Sequence, residues 1–328
     1  MPRATTRTEN LRVMVGVGAR YFLNLVARVA NQIGYLAAIS AASRFFVQEI
    51  AHILRFVDLA FLKRRLPNQA DGALEIYSKG IIEALTSLEV QIRTYQVDID
   101  AFRAHVATYG YPRNYAAGTM DKGGMREQKV LEYFVSLDLL DIHPTDLIVD
   151  VASEWSVFPD VIRRLYGAQV YRQDLTYPSG LRGNYIHGNA SCMPVPEGFA
   201  DKLVLHNAFE HFEGREDTDF IIEAWRVLKP GGILCILPLF VAERYSIVSD
   251  PLVNREGILW DNGAQVIERP WFHNRFARFY DVSALRHRVL EPGNNFDTTL
   301  YHILNPRDVH PHAYLHFALV MKKPAYHT

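Results

Sequence analysis

The chain has 328 residues, 49% hydrophobic and 22% charged, with a formal net charge of −1 and two cysteines, Cys192 and Cys235. This is the make-up of a folded chain long enough for about two domains, and it excludes a disordered or wholly polybasic protein. Two cysteines exclude a disulfide framework and a four-thiolate metal site, and no uncharged apolar run approaches the ~18 residues of a membrane span.

Charge is uneven along the chain. Residues 1–65 hold ten Lys/Arg and three acids, a balance of +7, which leaves −8 for the remaining 263 residues. A basic, apolar-rich front of this kind can touch an anionic membrane surface, and its apolar faces can pair two copies of the chain; a basic face that is merely solvated is the plainer reading. Residues 10–108 read as helical. Phe45, Phe46, Ile50, Ile53, Leu54, Val57 and Phe61 recur at three- and four-residue steps, and Ile76, Ile81, Leu85, Leu88 and Ile92 continue the pattern past the Pro67-Asn68 and Asp71-Gly72 breaks. Residues 109–126 are rich in turn-formers, so the expected organisation is a helical region over 1–110, a linker or lid over 111–126 carrying Tyr115, Lys122 and Arg126, and a second domain over 127–328.

From 127 the texture changes. A helix over 128–140 leads to the apolar run Leu147-Ile148-Val149-Asp150-Val151, a buried strand. A helix over 159–166, a strand over 168–171 ending near Asp174, a strand over 202–206, a helix over 219–228 and a strand over 232–237 follow. Alternation of strands and helices predicts a parallel sheet covered on both faces. Strands over 298–304 and 314–321 are joined too briefly to be parallel, so they close the sheet antiparallel.

Open parallel sheets bind ligands beyond the carboxyl ends of their strands, where strand order reverses. Asp150 ends the first strand of this domain, Asp174 ends the second, and Asn189 follows a short third; acid tips at this spacing suit an adenosine-containing ligand. The loop Val151-Ala152-Ser153-Glu154-Trp155-Ser156 has no glycine, and Glu154 adds negative charge. A dinucleotide pyrophosphate needs the close backbone approach that glycines allow, so nicotinamide and flavin chemistry is disfavoured. S-adenosylmethionine carries no phosphate and brings an ammonium group that a carboxylate can hold.

The motifs Glu223-Ala-Trp-Arg-Val-Leu-Lys-Pro-Gly-Gly232, Ala200-Asp-Lys-Leu-Val-Leu-His-Asn-Ala-Phe-Glu-His211 and Met193-Pro-Val-Pro196 stand in the order found in a known family. On them, residues 128–240 resemble a class I S-adenosylmethionine-dependent methyltransferase of the type 11 kind, here with a degenerate glycine loop. The resemblance implies a Rossmann-like, seven-stranded, mostly parallel α/β sheet with an antiparallel final hairpin. It implies S-adenosylmethionine as cofactor and maps its contacts to Asp150, Ala152, Asp174 and Asn189; Ser153, Glu154 and His206, in the same loop and at the fourth strand's end, are further candidates for cofactor binding. The family's first loop reads D-x-G-x-G-x-G, and each lost glycine adds a Cβ where backbone nears the cofactor.

Transfer to a hydroxyl needs a base, and histidine suits neutral pH. His211, with Glu210 beside it, is the leading candidate and His206 the second; a structural Glu-His pair at a helix start is the competing reading. The segment 241–280 sits where the family inserts substrate-binding elements, and Trp271, His273, Arg275, Arg278 and Tyr280 are of the types that hold a sugar or acidic glycan. A satellite apolar cluster under a long loop is the alternative. His310, His312 and His316 lack a nearby carboxylate cluster, so no metal is expected. No basic-aromatic groove speaks for nucleic acid.

The expected function is methyl transfer to a sugar, glycan or other small hydroxyl-bearing acceptor in the cytoplasm, with possible contact to a membrane surface through 1–65. A methyltransferase-fold scaffold without activity is the alternative, and a lipid-modifying methyltransferase a lesser one.

Overall fold

The structure, a computed structural model, describes residues 79–88, 90–111, 125–154, 156–178, 180–270 and 272–325. The basic front, with its expected helices and membrane or dimer contacts, lies outside them, as do Tyr115, Lys122, Trp155 and Trp271. Among the described residues no helix is long and apolar enough to cross a membrane.

In chain order the elements are α1 (Lys79–Leu85), β1 (Gln91–Tyr95), α2 (Ile99–Tyr109), α3 (Met125–Leu140), β2 (Leu147–Val151), α4 (Phe158–Leu165), β3 (Gln169–Asp174), β4 (Gly180–Arg182), β5 (Tyr185–His187) and β6 (Ala200–His206). A short turn of helix, Phe209–His211, follows. Then come α5 (Glu216–Val227), β7 (Leu228–Leu237), β8 (Ser246–Ser249), β9 (Gln265–Glu268), β10 (Ala277–Phe279), α6 (Val282–Leu285), a π-turn (Arg286–Leu290), β11 (Asp297–Ile303), α7 (Pro306–Val309) and β12 (Phe317–Lys322).

Nine strands form the main sheet in the order β1-β11-β12-β7-β6-β2-β3-β5-β4. The middle strands β7, β6, β2, β3 and β5 run parallel. β12 lies antiparallel between β7 and β11, the closing hairpin that the sequence predicts. The chain leaves β2 toward β3 and β5, then crosses back to β6 on the other side of β2. Strand order therefore reverses at β2/β6, and the crevice above those tips is where a ligand is expected.

The two extra strands correct the sequence reading. β4 adds an antiparallel edge beside β5, and β1 pairs parallel with β11, Gln91 opposite Thr299 and Tyr95 opposite Ile303. Residues 91–95 are thus strand rather than helix, and they belong to the sheet that the expected boundary at 109–126 would have separated from them. The physical reason is local. Val90, Ile92 and Tyr95 are β-branched or aromatic, and such residues fit a half-exposed pleated edge.

Each central strand is buried on both faces, as parallel sheets require. Alternation sorts the residues. Val149, Val151, Leu203, Leu205, Leu234 and Ile236 pack with Phe220, Ile221, Ala224 and Val227 of α5. Ile148, Val204, Cys235 and Leu237 pack on the opposite face with Val130, Leu131 and Leu140 of α3 and with Phe158, Val161 and Ile162 of α4. The Lys-Pro-Gly-Gly segment lies within β7. A Cβ on Gly232 would stand 2.8 Å from the Lys229 carbonyl oxygen and 3.0 Å from that of Asp201, so glycine is required for the close approach to β6. The segment 241–280 builds a second sheet, β10-β8-β9.

Candidate active site

β2 and β6 end side by side, and each passes the chain to a left-handed residue: Ala152 at φ 54° and Asn207 at φ 52°. That conformation costs an L-residue about 1–2 kcal/mol, which asparagine offsets locally and alanine does not. Ala152 occupies the first glycine position of the D-x-G pattern. The turn is left-handed here although no glycine is present to make it unstrained.

A cleft of about 330 Å³ opens between these loops and the start of α5, lined among others by Ala152, Asp174, Asn189 and His211. Four residues singled out from the sequence therefore meet at one place. Asp174 is buried. Its Oδ2 accepts a hydrogen bond from the Glu154 amide at 3.1 Å, and its Oδ1 accepts from the Thr176 amide at 2.9 Å and hydroxyl at 2.8 Å. An ionised carboxylate has about four acceptor sites, so Oδ2 retains one for a ligand hydroxyl. Asn189 is committed more fully: Nδ2 donates to Glu216 Oε2 at 2.7 Å, and Oδ1 accepts from the Ser191 amide at 3.0 Å. Ser153 is buried and Glu154 exposed, so Glu154 serves Asp174 through its backbone.

His211 presents a half-buried ring to the cleft. Its Nδ1 lies 2.6 Å from the Phe276 carbonyl oxygen, and its Nε2 lies 3.5 Å from Glu210 Oε1. A carbonyl only accepts, so Nδ1 carries the proton and the Nε2 lone pair is the basic position. Glu210 is almost wholly buried, and burial pushes its carboxyl above the usual carboxylate range against the pull of the adjacent His211.

His206 does not line this cleft, which corrects its expected part there. It shares the parity of Val204, so its ring turns to the α3/α4 face and packs against Tyr133 and Phe158 at centroid distances of 4.8 and 4.5 Å. Its Nε2 meets Ser136 Oγ at 2.9 Å, and its Nδ1 lies 3.5 Å from Asp150 Oδ1. Lys129 donates to the His206 carbonyl at 2.9 Å and to Glu132 at 3.0 Å. Asp150 Oδ2, His206 Nδ1 and Glu210 Oε2 are buried with no hydrogen-bond partner among the described residues. Buried acceptors are seldom left so, and two of these are carboxylate oxygens, one near the end of β2 and one in the Phe209–His211 turn that follows β6. They match the ammonium end of an amino-acid-bearing ligand.

The expected substrate residues scatter. Arg278 is fully buried, paired with Asp217 at 2.9 Å and Asp261 at 2.6 Å, and Tyr280 is buried with its hydroxyl donating to Asp217 at 2.7 Å. Neither faces solvent or the cleft, so both are corrected from ligand contacts to internal ties. Arg275 pairs with Glu213. His273 is exposed at φ 63°, its amide donating to Asp250. Among the described residues no group of three or more His, Cys, Asp and Glu could hold a metal ion.

Three polar cleft residues escape the sequence reading. Gln173 accepts from the Ala152 amide at 3.1 Å and donates to the Gly188 carbonyl at 2.6 Å, stapling the first loop to the loop that carries Asn189. Glu213 and Glu216 add carboxylates to the cleft wall. Gln173 had a signal, a polar residue just before a strand-end acid; the two glutamates are visible only once α5 is placed.

Residues 162–236 match a family model described as a methyltransferase domain. No curated protein matches the sequence. Several solved structures are similar. The 1,6-didemethyltoxoflavin-N1-methyltransferase of Burkholderia thailandensis, with bound 1,6-didemethyltoxoflavin and S-adenosylhomocysteine, is 16% identical over 70% of this chain and 91% of that one, at a TM-score of 0.39. A protein from Pyrococcus horikoshii OT3 is 15% identical over 66% and 98%, at 0.41. The [4+2]-cyclase SpnF is 14% identical over 72% and 100%, at 0.40.

Proposed function

We propose, for a chain of class I methyltransferase fold whose residues 162–236 match the methyltransferase domain family, that it transfers a methyl group from S-adenosylmethionine to a hydroxyl of a small acceptor such as a sugar. The observation that carries this is the convergence of Ala152, Asp174 and His211 on one cleft at the switch point, with an unpartnered Asp150 oxygen at the tip of β2.

The residues fit the cofactor. Asp174 Oδ2 has capacity for a ribose hydroxyl, the strained backbone at Ala152 keeps the approach open, and Asp150 Oδ2 is an acceptor for the ammonium group. When bound, S-adenosylmethionine supplies an electrophilic methyl on a sulfonium. The chain's own task is then to align an acceptor oxygen and take its proton at His211 Nε2. The imidazolium so formed has the Glu210 carboxyl 3.5 Å away to offset its charge. Asp174, Glu213 and Glu216 line the cleft, Arg275 is matched by Glu213 at its wall and Arg278 is occupied elsewhere, so among the described residues no unmatched cation faces the cleft, which favours an uncharged acceptor over an acidic glycan.

A second reading has its own observation. Gln173 spans the two cofactor loops with both ends of its amide bonded, and Asp174 is largely satisfied by its own loop, as in a fold that has closed its site and serves as an inert scaffold.

Calorimetric titration with S-adenosylhomocysteine separates the two. Heat of binding that is lost in Asp174→Ala supports the enzyme; no heat at millimolar ligand supports the scaffold. Given binding, His211→Ala should leave the affinity intact and slow turnover by about 10²–10⁴-fold. Unchanged turnover removes His211 as the base.

A further inference from the structure

The geometry points to Arg278 as a positioning residue that holds His211 in its Nδ1-protonated form, by tying the chain after His211 to the strand that supplies the ring's hydrogen-bond acceptor. This inference rests on the reading of His211 as the base.

The acceptor for His211 Nδ1 is the Phe276 carbonyl, immediately before β10. Two residues on, the Arg278 side chain turns to the loop that follows His211. Its Nη1 donates to the Phe212 carbonyl at 2.6 Å and its Nη2 to the Gly214 carbonyl at 2.9 Å. One short stretch of chain therefore grips the His211 loop at the ring, at the backbone just beyond it and, through Arg275, at the Glu213 side chain. A second guanidinium, from Arg288, also donates to the Gly214 carbonyl.

The grip is neutralised one charge for one. Asp217 Oδ2 accepts from Arg288 Nε at 2.8 Å and lies 2.9 Å from Arg278 Nη1. Asp261, in the segment between β8 and β9, accepts from Arg278 Nε at 2.6 Å and Nη2 at 3.0 Å. The Tyr280 and Tyr245 hydroxyls donate to Asp217 and Asp261 respectively. Two cations, two carboxylates and two phenols are all engaged, and Arg278 and Asp217 are wholly buried. A planar guanidinium with five donors is the side chain that can hold two carboxylates and two carbonyls at once, and lysine cannot replace it. Without the grip, the backbone of Phe212 and Gly214 loses its ties to β10, and only the half-exposed Arg275–Glu213 pair still links the segment to the residues beside Phe276. The ring then has no fixed acceptor, and its proton distributes between Nδ1 and Nε2, which removes the base from part of the population.

The test is nitrogen NMR of protein labelled at histidine, with the His211 ring signals assigned by their absence in His211→Gln. The ring state is read without acceptor or turnover, so a failure here is distinct from a failure of the methyltransferase reading. Wild-type protein should show His211 protonated at Nδ1. Arg278→Lys should show a mixture of ring forms, and where acceptor turnover is measured, kcat lower by about 10–100-fold with the KM for S-adenosylmethionine within about twofold. Arg288→Gln, at a partly exposed side chain, gives the same readouts with a smaller change if Arg278→Lys does not fold. A His211 ring that stays protonated at Nδ1 in either folded variant overturns the proposal, as does a wild-type ring protonated at Nε2.

Discussion

Asp174 and Asp217 flank the same loop region and are both buried, yet their surroundings differ in kind. Asp217 meets two arginines and a tyrosine that belong to the π-turn and the strand–turn segment before it, and nothing is left for a ligand. Asp174 is held by donors of its own and the adjacent loop, and it faces an open cleft. A carboxylate matched to opposite charge in a dry place fastens elements together. A carboxylate matched to neutral local donors beside a void is available to bind. Arg278 and Tyr280, read from sequence as part of a binding surface, belong to the first kind.

The largest effect that can break this comparison is on stability. Asp217→Ala leaves the buried Arg278 and the partly exposed Arg288 without their shared carboxylate and should cost about 3–5 kcal/mol, enough to unfold much of the protein. Asp174→Ala removes three local hydrogen bonds and should cost about 1–2 kcal/mol, because water in the cleft can reach the exposed donors. Urea denaturation of both variants measures the difference. Equal losses would mean that the two carboxylates do the same work and that the cleft is only another internal tie.

The next effect is on pH dependence and sharpens the comparison from outside both regions. His316 should respond to mild acid: burial, with Arg307 and His302 adding to it, pushes its imidazole down to about 4. The folded value is depressed below the unfolded one, near 6.5, so the unfolded chain binds the proton first. Stability is then fully present above about pH 6.5 and is lost as pH falls through about 4, by about 3 kcal/mol in all. His316→Gln should flatten that slope. A slope that persists unchanged would place the acid-sensitive group in the cleft or the network instead.

How much of this was legible in sequence depended on distance along the chain. The run Leu147-Ile148-Val149-Asp150-Val151 reads as β2 to the residue because burial on both faces leaves a continuous apolar signature. α5 was read three residues late, since its first turn, Glu216, Asp217 and Asp219, is acidic, and nothing local reveals that Asp217 is buried. β1 was missed because Ile92 falls at helical spacing from Leu88 and Leu85, while its pairing partner, β11, lies some 200 residues away. Among the candidate site residues, Asp150, Asp174 and His211 follow from strand tips and dipeptides, which are local. The fates of Arg278 and Tyr280 depend on Asp217, about 60 residues earlier, and that dependence is a tertiary fact.

The smallest expected effect concerns where backbone strain sits. Ala152 is left-handed at the cleft, while Arg278, Tyr280, Asp217 and Asp261 all avoid positive φ. Ala152→Gly relieves the strain of about 1 kcal/mol but adds about 0.4–1 kcal/mol of unfolded-chain entropy, so the two terms nearly cancel. Melting should therefore move by no more than about 2 °C. Affinity for S-adenosylhomocysteine should nonetheless rise by a few-fold, because the methyl group removed stands on the turn that a nucleoside approaches. A gain in affinity at constant stability says that Ala152 lies against the ligand. A fall in melting temperature of several degrees, with affinity unchanged, would say instead that the Ala152 methyl is packed as part of the scaffold and that the cleft begins farther from β2.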